Sequence, residues 1–254
     1  MFNNYIKIFL RNLWKHAGYS ICNISGLAVG MVTCILVLLF VRYEFNWNTS
    51  NKNYEKIYRV QKKVAFKNNV EIYTQTGYPL AGELKSQLPE IDEAIVVKEI
   101  WDEYLSSNDT SSFLERKGFY AHNDIFKVFT FNFLQGNPRN ALTGPYSIVL
   151  TKELANKYFP GQSAIGKTIK ASQNKFLKVT GVIADLPFNS YIRPDYIVSF
   201  NTYPYITTWK EYSDLKFIDA AAFRTYVLLK PNAYVKGINN KISKFMDKSL
   251  KRNV

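Results

Sequence analysis

The chain has 254 residues, 47% of them hydrophobic and 16% aromatic, with a formal net charge of +13. That length and apolar content exclude a disordered polypeptide and suffice for one large domain or two smaller ones. The basic balance does not point to nucleic acid, because Lys and Arg are scattered among acids rather than gathered on one element; a solvated basic surface facing anionic headgroups accounts for it.

A mean hydropathy of −0.18 hides one concentrated apolar stretch. Residues 17–41 carry no charge, and roughly 20 apolar residues cross a bilayer as a helix. A cleaved secretory signal would be shorter and would end at small residues, whereas this run ends in VRYEFNW. A lipoprotein signal would place a small residue before its cysteine, and Cys34 follows Thr33. A buried core helix rarely runs so far without a polar face. An uncleaved transmembrane helix is therefore expected at 19–41.

Lys7, Arg11 and Lys15 before the helix favour an inside N-terminus, but Arg42, Lys52, Lys56 and Arg59 follow closely. The charge count is nearly a tie, and a large domain can translocate regardless of it. Along the helix Gly18, Cys22, Gly26, Gly30 and Cys34 recur every four residues, with a GxxxG at Gly26 and Gly30. A ridge of small side chains lets another helix approach closely in lipid, so these five residues are the expected helix-packing site. Cys22 and Cys34 lie twelve residues apart, about 18 Å along a helix, and cannot pair with each other.

Beyond a polar linker at 46–53, residues 56–66 (KIYRVQKKVAF) read as a strand, 79–91 as a helix ending near Pro89, and 94–100 (AIVVKEI) as a second strand. Residues 102–117 read as a polar loop. Residues 125–134 (IFKVFTFNFL) suit a strand or short helix at a core edge, its phenylalanines read as core, before a Gly136-Asn137-Pro138 turn. Residues 151–159 (TKELANKYF) read as a helix capped by Thr151. Two strands, 167–171 and 176–185, are joined by a turn at 172–175. A turn at 186–190 leads into 196–200 (YIVSF), 223–230 reads as a strand, and 235–250 as an amphipathic helix. Strands and helices alternate without a strict βαβ rhythm, so the fold class is α+β: one N-terminal transmembrane helix, then a mixed α/β extracytoplasmic domain.

Residues 161–168 (GQSAIGKT) satisfy the phosphate-loop pattern GxxxxGK[ST]. That chemistry needs a strand entering the loop and a helix leaving it. Here the order is reversed, so Gly161 and Gly166 are expected to serve turn geometry, and Asp185 is not a magnesium ligand. His16 and His122 are the only histidines, and no HExxH, CxxC or calcium-loop motif occurs. No catalytic, cofactor-binding or metal-ligating set is expected.

Several ordered segments resemble the MacB/FtsX-type permease family. They are residues 5–31 with Arg11-Asn12-Leu13 and Gly26-Leu27-Ala28, Tyr43-Glu44, 53–60 (NYEKIYRV), 126–143, 149–159, 164–170 (AIGKTIK) and 179–191 (VTGVIADLPFNSY). The chain departs from the family at Asn48, Ser50 and Asn51, where an acidic-aromatic-histidine stretch is usual, and at Tyr191, where Asn-Ser-His is common. The resemblance implies a cytoplasmic segment at 1–18, the helix at 19–41 and a periplasmic MacB-like core domain at 42–254, held in a bacterial inner membrane. It implies a separate cytoplasmic ABC ATPase whose motion the permease transmits to export or extract a substrate, a permease partner or homodimer, and a periplasmic adaptor. Family members carry three further membrane helices, which would lie beyond Val254, so the chain is expected to be a fragment, a truncated product or a half that works with other subunits. The alternative is a single-pass, membrane-anchored sensor or binding module.

Overall fold

The computed structural model describes residues 2–45, 50–66, 69–107, 111–206 and 222–252. The chain divides into two compact units, Met1–Trp47 and Asn48–Val254.

In the first unit, α1 (Phe2–Lys15) and α2 (Ala17–Phe45) flank His16. α2 encloses the expected span and extends past it at both ends. Its 29 residues reach about 43 Å at 1.5 Å per residue, more than a bilayer's hydrocarbon core of roughly 30 Å. None of its described side chains is buried within the chain. Two of its hydroxyls turn back on its own backbone: Ser25 Oγ donates to the Cys22 carbonyl at 3.1 Å, and Thr33 Oγ1 to the Val29 carbonyl at 2.9 Å. Such back-bonding leaves few polar groups seeking water. α1 was not foreseen as a separate element. Helical spacing puts Tyr5, Ile6, Phe9 and Leu13 on one face and Lys7, Arg11 and Lys15 on the other.

The second unit is built on a mixed sheet. Its strands are β1 (Ile57–Arg59), β4 (Ile91–Ile100), β5 (Glu103–Ser106), β6 (Phe113–Glu115), β7 (Gly118–Ala121), β8 (Phe133–Gly136), β9 (Ser147–Thr151), β10 (Thr168–Ala171), β11 (Lys175–Ile183), β12 (Tyr196–Ser199) and β13 (Arg224–Leu229). Their order is β1-β13-β4-β7-β12-β9-β11-β10-β5-β6, with β8 also paired to β11. β9 runs parallel to β11 and β12 parallel to β7, and the other pairs are antiparallel. β2 (Lys62–Phe66) and β3 (Asn69–Tyr73) form a separate hairpin. The helices are α3 (Leu80–Gln87), α4 (Ile125–Val128), α5 (Lys152–Tyr158), α6 (Tyr203–Ile206) and α7 (Val235–Arg252).

Successive strand residues point to opposite faces, and here both faces are covered. Ile148 and Leu150 of β9, Tyr196 and Val198 of β12 and Val96 of β4 join Leu154, Ala155 and Tyr158 of α5 in one core. Their neighbours Val149, Ile197, Ile95 and Val97 join Ile125 and Val128 of α4 in a second. A third core packs Leu80 and Leu84 of α3 and Ile238 of α7 on Val227 and Leu229. Central strands covered on both sides read as apolar runs rather than alternating ones.

The α5 prediction holds in detail: Thr151 Oγ1 accepts the Leu154 amide at 3.4 Å, closing the first turn. The connection between β10 and β11 is a short 3-10 turn, Ser172–Asn174. Three expectations are corrected. The single strand at 56–66 breaks after Arg59, where Val60 N–H donates to the Thr225 carbonyl at 2.9 Å, and the chain then leaves the sheet as the β2–β3 hairpin. The loop at 102–117 contains β5 and β6, paired to each other and, through β5, to β10. Their signal is weak because Leu105 is their one buried hydrophobic residue, the other buried positions are Ser106 and Glu115, and Tyr104 and Phe113 face out. The stretch at 125–134 is both helix and strand, with α4 preceding β8.

Candidate functional site

The five small residues expected to pack another helix all lie on α2. Cys22 and Cys34 are exposed. A Cβ built on Gly18, Gly26 or Gly30 meets nothing within 4 Å, so the chain's own fold makes no use of their smallness. At 100° per residue, each four-residue step drifts by about 40°. The ridge is therefore a row inclined to the helix axis, the surface a close right-handed crossing uses.

The phosphate-loop pattern has the reversed context expected of it. α5 precedes the loop and β10 follows. Gly161 and Gly166 have φ of +69° and +80°, a left-handed conformation that glycine adopts without penalty. The amides are committed elsewhere: Gly166 N–H donates to the Val179 carbonyl at 2.8 Å and Lys167 N–H to the Ala164 carbonyl at 3.1 Å. Lys167 Nζ donates to Gln162 and lies 5.0 Å from the centre of the Phe159 ring. Asp185 Oδ1 accepts the Glu153 amide at 2.8 Å, at the start of α5.

His122 sits at the end of β7, its Nε2 3.0 Å from the Tyr78 hydroxyl and its ring 4.8 Å from that of Phe200. Burial pushes its pKa down, against the pull of Asp124. It is a half-buried histidine packed against the aromatic ring of Phe200. Among the described residues, no group of three His, Cys, Asp or Glu side chains could hold a metal ion.

The structure also assembles a cleft that the sequence did not reveal. Register pairs Arg59 with Tyr226 and Ile57 with Leu228 across β1 and β13, so Arg59, Ile57 and Tyr226 share a face. Phe129 meets Tyr226 edge to face at 5.3 Å. The segment after β11 brings Ser190, Tyr191 and Ile192 alongside. With Asn51, Tyr54 and Gln61 these residues line a cavity of about 300 Å³.

The floor of the cleft is aromatic and aliphatic, and its one lining charge is Arg59. The Arg59 guanidinium lies 4.9 Å from the centre of the Tyr191 ring. Its Nε is buried and has no hydrogen-bond acceptor. No carboxylate among the described residues pairs with it, whereas Arg224 on β13 is held by Glu99 at 2.5 Å. Burial pushes the Tyr226 phenol up, with Arg224 and Arg59 opposing. Asn51 Oδ1 accepts from Asn53 N–H at 3.1 Å and from Thr130 Oγ1–H at 3.2 Å, and Ser190 Oγ–H donates to the Ile192 carbonyl at 2.9 Å. Three of the segments that carry the family resemblance, 53–60, 126–143 and 179–191, converge on this cleft. That convergence was the available signal, hidden because the segments lie far apart in the chain.

The family model described as the MacB-like periplasmic core domain matches residues 20–245. No curated protein sequence matches the chain. Among solved structures, a domain from Porphyromonas gingivalis, described as belonging to a permease protein, aligns with a TM-score of 0.66 at 16% identity, over 78% of this chain and 83% of that one. The periplasmic region of MacB from Actinobacillus actinomycetemcomitans aligns with a TM-score of 0.56 at 12% identity, over 80% of this chain and 85% of that one.

Proposed function

The chain belongs to the MacB-like periplasmic core domain family of ABC-type transporter permeases, and from that premise we propose that it couples a cytoplasmic ATPase to events outside the membrane. In this reading α2 crosses a bacterial inner membrane, residues 1–18 stay in the cytoplasm, and the sheet domain works in the periplasm. A separate ABC ATPase subunit hydrolyses ATP. The membrane helices move, and the domain carries that motion to a substrate or to a periplasmic adaptor. The observation that carries the reading is a helix of 29 residues with no side chain buried in the chain, most of it within residues 20–245 that the family model matches.

A sheet covered on both faces suits such a lever, because close-packed interiors transmit strain rather than absorb it. α1 fits a companion role at the lipid surface, its apolar face in the acyl boundary and Lys7, Arg11 and Lys15 among anionic headgroups.

The small-residue ridge is the contact through which α2 meets a permease partner or a second copy. Changing both Gly26 and Gly30 to Leu fills the open row while leaving the helix long and apolar. The signal of a membrane two-hybrid assay is expected to fall by about tenfold, the equivalent of 1–2 kcal/mol of helix association. An undiminished signal contradicts the packing face. The second reading, a membrane-anchored sensor or binding module, is favoured by one observation, the uncompensated Arg59 in its cleft.

A further inference from the structure

We propose that the cleft beside β1 is a binding site for a carboxylate carried on an apolar or aromatic body, with Arg59 as its anion anchor. The inference rests on the geometry of the sheet domain and is independent of the transport reading.

Arg59 is half-buried, its Nε is buried without an acceptor, and no side chain among the described residues neutralises its charge. Holding a partly desolvated cation without a counter-charge costs stability. Arg224 and Lys157 on the same domain do have carboxylate partners, Glu99 and, at 2.6 Å, Glu115. A charge-assisted hydrogen bond from the guanidinium to a ligand carboxylate would supply the missing partner.

The remaining walls define the body of that ligand. Tyr191 already stacks on the guanidinium at 4.9 Å, so the charge is fixed against an aromatic face. Phe129, Ile192 and Tyr226 form an apolar floor, and Gln61 stands exposed at the rim. About 300 Å³ is at the lower end of small-molecule sites, which combine apolar walls with a few fixed polar groups. A bare inorganic anion would leave that floor unused. A free carboxylic acid and a peptide C-terminus share the required chemistry.

The test uses the full chain in lipid nanodiscs, with empty nanodiscs subtracted, and 4-phenylbutyrate as probe in calorimetric titration. Binding is expected below about 1 mM. It should weaken by about tenfold or more, the worth of one charge-assisted contact, for 4-phenylbutyramide and for Arg59→Gln. Gln61→Trp, which adds bulk at the exposed rim and spares the core, should also block the probe. The melting temperature of Arg59→Gln should be unchanged or raised, because the substitution relieves an uncompensated charge. N-acetyl-Ala-Phe with a free or an amidated C-terminus separates the two sources: preference for the free form over phenylbutyrate indicates a peptide end, and the reverse a free acid, both within the proposal. No binding at about 10 mM, affinity unaltered in Arg59→Gln, or phosphate binding as tightly as phenylbutyrate would overturn it.

Discussion

Replacing Gly118 with alanine is expected to lower the stability of the sheet domain by about 3 kcal/mol, the upper part of the usual overpacking range. A Cβ at this position would lie 2.2 Å from Tyr196 Cζ and 2.4 Å from its hydroxyl oxygen. Tyr196 is fully buried, and β7 and β12 are locked in parallel register with Gly118 opposite Tyr196. Neither ring nor strand can retreat cheaply from a close-packed core. Urea titration of the full chain in detergent measures the loss. Adding Tyr196→Leu should recover part of it, because the two sites share one volume. Gly82→Ala is the control: nothing lies within 4 Å of its Cβ, and in the middle of α3 alanine should stabilise by up to about 1 kcal/mol.

Raising the pH above about 10, the ordinary tyrosine value, is expected to unfold the same domain. Burial holds the phenols of Tyr120, Tyr196 and Tyr226 above that value, and the Glu103 carboxylate adds to the effect at Tyr120 and Tyr196. In the folded state they stay protonated while the unfolded chain releases its protons, so the unfolded state binds fewer. Stability is therefore fully present below the unfolded pKa and is lost as pH rises toward the folded one. Each such tyrosine removes about 1.4 kcal/mol per pH unit in that window. Near-ultraviolet circular dichroism should be steady from neutrality to about pH 9 and collapse above about pH 10. Retained tertiary signal with ionised tyrosines would contradict the tight packing around these rings.

The elements legible in the sequence are those whose pattern is local. A charge-free run long enough for a bilayer announced α2. Thr151 followed by Leu154, Ala155 and Tyr158 announced α5 and its cap. The short turn at residues 172–175 announced the β10–β11 pair. What escaped depends on distant partners. β9 is only Ser147–Thr151, buried on both faces, and so short an apolar run has no period to read. β5 and β6 exist because β10 offers an edge, while much of their own surface is polar and exposed. β2 reads as a continuation of β1, since no turn residue marks Val60 and Gln61, and β3 falls outside every element the sequence suggests. α1 had a clear helical period that the adjoining apolar run obscured.

The same distinction holds for the sites. The small ridge on α2 follows directly from residues spaced by four. The Arg59 cleft requires positions 59, 129, 191 and 226 to meet, and only the sheet order β1-β13-β4 with the loop after β11 brings them together. Arg59 and Tyr191 were each visible within segments resembling the family, yet nothing in the linear chain joined them. The phosphate-loop pattern shows the converse. Its residue types are all present, and the direction of the flanking elements turns its amides toward Val179 and Ala164.

One fractionation decides whether α2 is an anchor. Membranes from cells making the full chain are washed with alkaline carbonate, and intact spheroplasts are separately treated with protease. The account predicts that the protein stays in the washed membranes and that protease added outside removes the domain beyond Phe45. Recovery of the intact chain in the soluble fraction without detergent would contradict it.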